Sequence, residues 1–227
     1  MARVREDPRI VGRSGQWHSE PMPESAEEVY ARVVAAVGAD GHLPMPPSGE
    51  WDIFPWEVVD GAIAPRTLLP PSDDPARSGE SDEKPCGACA DGFAEDQVVW
   101  EDDTWVLTHG GGPSGLPVVL TLHTREHLDM GNLDDDQASQ LGRITNRLVR
   151  ILENLPEIGR VHVNRWGDGG SHFHQTFWAR TARLTHVLGS PAMEWDDIIP
   201  PGPEDVWRAD LSTVAEKLAN WGGEARV

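Results

Sequence analysis

The chain has 227 residues, and its 38 acidic side chains outnumber 19 lysines and arginines, a formal charge of −19 with histidine neutral. Lysine occurs only at Lys84 and Lys217, which excludes a surface that coats a nucleic acid polymer, because such surfaces neutralise phosphates with clustered Lys and Arg. Hydrophobic residues make up 38% of the chain, with no apolar run near the roughly 20 residues that span a bilayer and no signal-peptide start, so a soluble, cytoplasmic protein with no membrane partner is expected.

Twelve of the 19 prolines fall before residue 86, a spacing that forbids long helices there. The exception is 25–37, where Ser25 and Glu28 have the pattern of a capping box and Val29, Val33, Val34 and Val37 follow at helical spacing. Trp51, Phe54 and Trp56 make a Pro-interrupted apolar patch expected to pack onto the main domain. Residues 70–85 are acidic, rich in Pro and Ser and almost free of apolar side chains, which reads as a linker or long surface loop. These shifts divide the chain into a Pro-rich acidic extension with a short helix over 1–80, a main domain over 81–200, and a C-terminal amphipathic helix and tail over 201–227.

From Cys86 onward, short β-type runs occur at 97–100, 104–108, 117–122, 160–164 and 172–178. Between the third and fourth lies one strong helix, from Leu133 or Asp134 to about Leu155. Leu141, Ile144, Leu148, Ile151, Leu152 and Leu155 share its face, Asp134 and Gln137 are the cap candidates, and Pro156 ends it. Gly142 inside this helix is expected to permit a close approach to the sheet. A second amphipathic helix is predicted over 204–221, with Val206, Trp207, Leu211, Val214, Leu218 and Trp221 at helical spacing. The fold class is therefore α+β: an antiparallel sheet of about five strands with one long helix packed on it, an N-terminal extension and a C-terminal helix.

Residues 161–180, VHVNRWGDGGSHFHQTFWAR, concentrate the chemistry. In an extended strand His172, His174, Thr176 and Trp178 share one face, while Phe173, Gln175 and Phe177 share the other. Before them, Gly167, Asp168, Gly169, Gly170 and Ser171 offer backbone N–H groups that could cradle an anion, with Arg165 adding a cation; alternatively the glycines only supply positive φ in a hairpin connection. Cys86 and Cys89, the only cysteines, are spaced Cys-x-x-Cys. A thioredoxin-like redox pair needs a strand-loop-helix context that is absent, and a disulfide does not suit a cytoplasmic chain. The pair points to zinc, which needs two further ligands that imidazoles can supply.

With those residues in view, the chain resembles the histidine triad superfamily, whose motif is HxHxH followed by apolar residues. Within it the chain resembles the galactose-1-phosphate uridylyltransferase branch, where the motif reads HPHxQxWA. Here the run is His172-Phe173-His174-Gln175-Thr176-Phe177-Trp178-Ala179, and residues 122–128, LHTREHL, stand where that family has PKxH. The resemblance covers about residues 86–180. It implies a histidine triad-like sheet domain with a structural zinc ion held by Cys86, Cys89, His127 and His172; His123 is the rival for the third place. It further implies that His174 is a nucleophile attacking the α-phosphorus of a nucleotide. His172 and Thr176 complete the catalytic positions, with Asn164, Arg165, Gly167, Gly169, Gly170, Ser171 and Trp178 lining the substrate. Two positions depart from the pattern. Thr176 stands where the hydrolases have a third histidine and the uridylyltransferases a glutamine, and Gly169 stands where a phosphate-binding serine is usual, with Ser171 instead beside His172. Family members are often dimers, which implies a homodimer as one possible assembly.

Single histidines on strands are more often structural than functional, and His18, His42, His109, His162 and His186 take that reading, with His162 and Asn164 set on the face next to the triad. Trp166 and Trp178 could stack a base or pack as core or rim. Asp196-Asp197 and Asp134 to Asp136 read as solvated faces or helix caps. Two functions remain: a nucleotidyl hydrolase or transferase acting through His174 on a dinucleotide, nucleotide sugar or nucleoside phosphoramidate, or a zinc-stabilised module that binds a nucleotide or a protein without turnover.

Overall fold

The structure is a computed structural model that describes residues 21–46 and 54–227. Helix α1 (Ala26–Ala36) opens with the anticipated capping box: Ser25 Oγ accepts from the Glu28 N–H at 3.3 Å and the Glu28 carboxylate accepts from the Ser25 N–H at 2.8 Å. A two-stranded hairpin follows, β1 (Trp56–Val59) and β2 (Ala62–Pro65). It turns at Asp60 and Gly61, both at positive φ. Next come the single-turn α2 (Gly87–Ala90), then β3 (Val98–Glu101), β4 (Trp105–His109), β5 (Val118–Thr124), the long helix α3 (Asp135–Glu153), β6 (Ile158–Asn164) and β7 (His174–Thr181). The chain ends with α4 (Pro191–Ile198), α5 (Glu204–Ala219) and the two-residue β8 (Glu224–Ala225).

The main sheet is antiparallel with strand order β6-β7-β5-β4-β3-β8. Strand alternation gives it two different faces. Trp105, Leu107, Leu120, Leu122, Phe177 and Ala179 point to one side, where they bury against Leu148 and Leu152 of α3 and Leu211 and Leu218 of α5 in one continuous core. Helix α3 begins where its cap chemistry puts it: Asp134 Oδ1 accepts from the Gln137 N–H at 2.8 Å, and the Gln137 side chain reaches back to the Asp134 N–H at 3.0 Å. The other face carries Thr121, His123, His174, Thr176 and Trp178. Its far end is covered by a second, smaller core, in which Val29 of α1, Leu116, Val187, Ala192 and Ile199 pack with Val119 and Trp178.

All five anticipated strands are present, with ends shifted by a few residues, and the sheet gains a sixth. Strand β8 is too short to show a period, and it pairs with β3 only after α5 has brought the chain back. The C-terminal helix shares the main core rather than standing apart. Three local expectations are corrected. Gly142 faces solvent and a Cβ there would meet nothing within 4 Å, so it makes no close approach to the sheet. Trp56 is 51% exposed on the hairpin instead of packing onto the main domain. Asp196 is not solvated: its Oδ1 accepts from the Leu116 N–H at 2.7 Å, and burial pushes its carboxyl above the usual range. Trp51 and His18 lie outside the described residues. Among the described residues no helix is long and apolar enough to cross a membrane.

Two stability measurements follow from this packing. Gly142→Ala adds a methyl group to open space in the middle of a regular helix, so it is expected to stabilise the fold by about 1 kcal/mol in urea titration. Asp210 of α5 is buried with its carboxyl pushed up to about 6 by desolvation. The folded protein therefore holds this proton more tightly than the unfolded chain. The cost is absent below the unfolded value of 3.8, grows as pH rises, and is complete above about 6. Asp210→Asn should accordingly raise stability at pH 7.5 by on the order of 2–3 kcal/mol and leave it unchanged near pH 3. An equal effect at both pH values would contradict this origin.

Candidate functional site

Four side chains from three separate segments converge at one end of the sheet. Cys86 is the N-cap of α2 and Cys89 lies within its single turn, His127 follows β5, and His172 precedes β7; one donor atom of each lies within 4.8 Å of all the others. The Sγ to Nδ1 separations are 3.4 Å for Cys86 with His172, 3.5 Å for Cys89 with His172 and 3.3 Å for Cys89 with His127. A tetrahedral zinc ion, with Zn–S near 2.3 Å and Zn–N near 2.0–2.1 Å, has S···N edges of about 3.6 Å, so the donors fit that ion. Burial and the neighbouring Cys86 push the Cys89 thiol up, against forming a thiolate unless a cation supplies the opposing charge. Burial pushes the His172 imidazole down, towards the neutral form that a metal takes.

The outer hydrogen bonds fix both imidazoles. His172 Nε2 lies 2.7 Å from the Thr124 carbonyl oxygen, which can only accept, so the proton is on Nε2 and the lone pair of Nδ1 faces the thiols. His127 Nε2 lies 3.2 Å from Ser171 Oγ, which in turn donates to the Ser78 carbonyl at 3.1 Å. His123 stands outside the donor group. Its Nε2 is 3.1 Å from Thr108 Oγ1, and desolvation, then the proximity of His172 and His174, lowers its pKa to about 4, so the ring is neutral. The donor set, its closed four-ligand form and its completed outer shell support a structural zinc ion, with no position left open for substrate.

Next to this centre, β7 presents His174, cross-strand from His123. His174 Nδ1 is 2.9 Å from the carbonyl oxygen of His172. Again the oxygen can only accept, so Nδ1 carries the proton and Nε2 keeps its lone pair. Two residues on, Thr176 is buried with Oγ1 3.3 Å from Thr121 Oγ1. Asn164 sits opposite Thr176 across the ladder, and its Oδ1 accepts from the Trp178 indole at 2.7 Å. Trp166 is half-exposed and edge-on to Trp178, with ring centroids 6.0 Å apart. His162, opposite Trp178, has a buried Nε2 without a partner among the described residues.

The glycine-rich turn is built differently from either sequence expectation. None of Gly167, Gly169 and Gly170 has positive φ, so the turn neither needs glycine for left-handed backbone nor forms an alternating nest. Gly169 and Ser171 instead pair with Ser78: the Ser78 N–H donates to Gly169 O at 3.1 Å, and the Ser171 N–H to Ser78 O at 2.9 Å. Ser171 is thereby spent on the backbone and on His127. Arg165 is ion-paired to Asp129, which also receives Arg77 at 2.8 Å, and Arg77 donates to the Gly167 carbonyl at 3.0 Å. The N–H groups of Gly169 and Gly170 donate to no acceptor among the described residues.

No family model matches the chain, and no curated protein is similar to it in sequence. Solved structures match it in fold, at low identity. A histidine triad nucleotide-binding protein of Sulfolobus tokodaii is 10% identical, with a TM-score of 0.42 over 59% of this chain and 90% of that one. A zinc-bound histidine triad family protein of Mycobacterium smegmatis is 14% identical, with a TM-score of 0.39 over 57% of this chain and 89% of that one. A uridylyltransferase is 15% identical, with a TM-score of 0.38 over 56% of this chain and 43% of that one. The chain is similar to histidine triad proteins.

Against the triad pattern read from the sequence, the structure brings Cys86, Cys89, His127 and His172 together and sets His174, Thr176, Asn164 and Trp178 on one face. It engages both nitrogens of His172, Nδ1 with the two thiols and Nε2 with the Thr124 carbonyl. The residues that sequence reasoning missed are Arg77, Ser78, Thr124 and Asp129. Thr124 and Ser78 act through carbonyl oxygens, which no side-chain pattern reveals. Arg77 stands in a stretch whose composition reads as linker.

Metal analysis of protein purified without added chelator should give about one zinc per chain, and Cys86→Ser should lose it. Chelation should lower the melting temperature by several degrees, since the bound ion stabilises only the folded chain. Well under one equivalent in the wild type would remove the zinc assignment.

Proposed function

We propose that the protein binds a nucleotide or nucleotide ester on the sheet face that carries His174 and acts on its α-phosphate as a nucleotidyl hydrolase or transferase of the histidine triad type. The observation that carries this reading is the hydrogen bond from His174 Nδ1 to the His172 carbonyl, which keeps the Nε2 lone pair available as a nucleophile. In the first step Nε2 bonds to the α-phosphorus and the bond from phosphorus to the leaving group breaks, its electron pair departing with that group. In the second, water or an acceptor hydroxyl attacks phosphorus, the P–N bond breaks, and the proton passes to solvent. The free N–H groups of Gly169 and Gly170 and the amide NH₂ of Asn164 would receive the phosphoryl oxygens as charge shifts onto them. Trp166, half-exposed and edge-on to Trp178, would offer its open ring face to a base. Arg165 and Ser171, both committed elsewhere, would hold the turn in shape rather than touch phosphate. Zinc would hold the triad strand and take no part in either step.

One observation favours a second reading. Thr176 is buried against Thr121, and an aliphatic hydroxyl is too weak an acid to protonate a leaving group near neutral pH. A zinc-stabilised module that binds a nucleotide or a protein partner without turnover has the same face and lacks only that donor. Leaving groups that are stable as anions would escape the restriction, so the enzyme reading carries a substrate preference with it.

Trapping separates the two. Wild-type protein incubated with nucleotide esters labelled at the α-phosphate, then quenched in base, should yield an acid-labile nucleotidyl-histidine that disappears in His174→Ala. Binding without label and without hydrolysis of any nucleotide ester would leave the module; neither binding nor label would remove the enzyme and the nucleotide-binding module alike, leaving only a module for a protein partner.

A further inference from the structure

We infer that residues 76–85 are a clasp which the metal centre holds shut over the glycine-rich turn, and that Ser78 and Gly79 are positioning residues for the metal ligands. The inference rests on the zinc centre and not on the chemistry proposed for His174. The clasp is a compact loop of its own: the Gly79 N–H donates to Lys84 O at 2.6 Å, the Lys84 N–H to Ser81 O at 3.1 Å, Ser78 Oγ to Pro85 O at 3.0 Å and Lys84 Nζ to Ala76 O at 2.8 Å. It meets the rest of the molecule at three points. Ser78 forms the parallel bridge to Gly170, Arg77 reaches Asp129 and the Gly167 carbonyl, and Cys86 follows directly as a metal ligand.

Gly79 is the position where the clasp and the centre touch. Its φ is +91°, a backbone region that a residue with a Cβ rarely adopts. A Cβ there would lie 2.6 Å from His127 Cε1, 2.7 Å from Ser171 Oγ and 3.2 Å from Cys86 Cβ. One of those atoms belongs to a ligand ring, one to the hydroxyl that bonds to that ring, and one to a ligand thiol. Absence of a side chain at this one position therefore lets two ligands and their supporting serine close together. Ser78 completes the link, because its carbonyl receives both the N–H and the hydroxyl of Ser171, and that hydroxyl bonds to His127 Nε2.

What the clasp lacks is apolar burial. Not one residue of 76–85 is buried, so hydrogen bonds to Gly169, Ser171 and Gly167, the Arg77–Asp129 ion pair and the tie through Cys86 are what hold it. Segments held this way open at low free-energy cost, well below that of global unfolding. Freeing the four ligands relaxes Cys86 at one end and the His127–Ser171–Ser78 chain in the middle. The clasp then lets go of the glycine turn, and the state of the metal centre decides how the residues upstream of Cys86 sit over it.

The test combines zinc affinity with proteolysis of the full chain. Competition against a chromogenic chelator should show zinc held at least about tenfold more weakly by Gly79→Ala than by wild type, and more weakly by Ser171→Ala, which keeps the backbone bridge and serves if the glycine variant folds poorly. Trypsin reads the clasp at the Arg77–Ser78 bond, since Lys84 precedes proline and resists cleavage. That bond should be cut at least about tenfold faster after zinc is stripped, while sites in α3 and α5 at Arg147 and Arg208 stay protected. Unchanged zinc affinity in both variants, an Arg77 cleavage rate indifferent to zinc, or loss of protection in α3 and α5 together with Arg77 would each overturn the inference.

Discussion

Everything near the triad strand depends on one requirement: two thiols and two imidazoles, drawn from segments far apart in the chain, share a space that suits them only around a cation. Burial raises the Cys89 thiol and lowers the His172 imidazole, so both of these ligands lean toward their neutral forms unless a cation supplies the opposing charge. With the charge present, ligand geometry becomes backbone geometry. His172 turns its ring to the centre and its Nε2 to Thr124, and its own carbonyl then lies where it fixes the tautomer of His174. The same backbone turn that places His172 among the ligands therefore places the carbonyl that fixes the tautomer of His174.

The sheet makes this possible by giving its two faces to different work. One is filled by α3 and α5 and carries most of the buried apolar side chains. The other is polar at the triad end and apolar at the far end, where α1 and α4 cover Val119 and Trp178. Because alternate residues of β7 serve opposite faces, Phe177 and Ala179 anchor the strand from behind while His174 and Thr176 remain in front. A shift of one residue would exchange these roles, so the packing of Phe177 against α3 determines where the imidazole points.

How much of this could be read from the sequence follows from which interactions are local. Periodicity found β3 to β7, α3 and α5, and side-chain capping marked the starts of α1 and α3 at Ser25 and Asp134. It missed β8, which is two residues long and defined wholly by its partner, and α4, a short helix whose cap Ser190 makes no side-chain hydrogen bond. Residues 70–85, read as a linker or long surface loop, are a loop with no buried residue, but composition records apolar burial and could not show the contacts that Arg77 and Ser78 make. The metal ligands were legible since spacing and residue type carry the signal. The turn was less so: the ion pair of Arg165 with Asp129, 36 residues away, leaves no trace in the local sequence. Gly142 looked like a packing glycine because a sequence shows the missing side chain but not the empty space beside it.

The spread of the ligands along the chain also orders events in time. Cys86 and His172 are 86 positions apart, so the centre cannot close while the polypeptide is being made until the triad strand has emerged. Up to that moment Cys86 and Cys89 are two thiols in a stretch without a core, open to oxidation or to the wrong metal. The core strands β3 to β5 and helix α3 are already complete by then. Closure of the four-ligand centre therefore waits until His172 has been made, and the loop before Cys86 meets its partners at Gly169 and Ser171 no earlier.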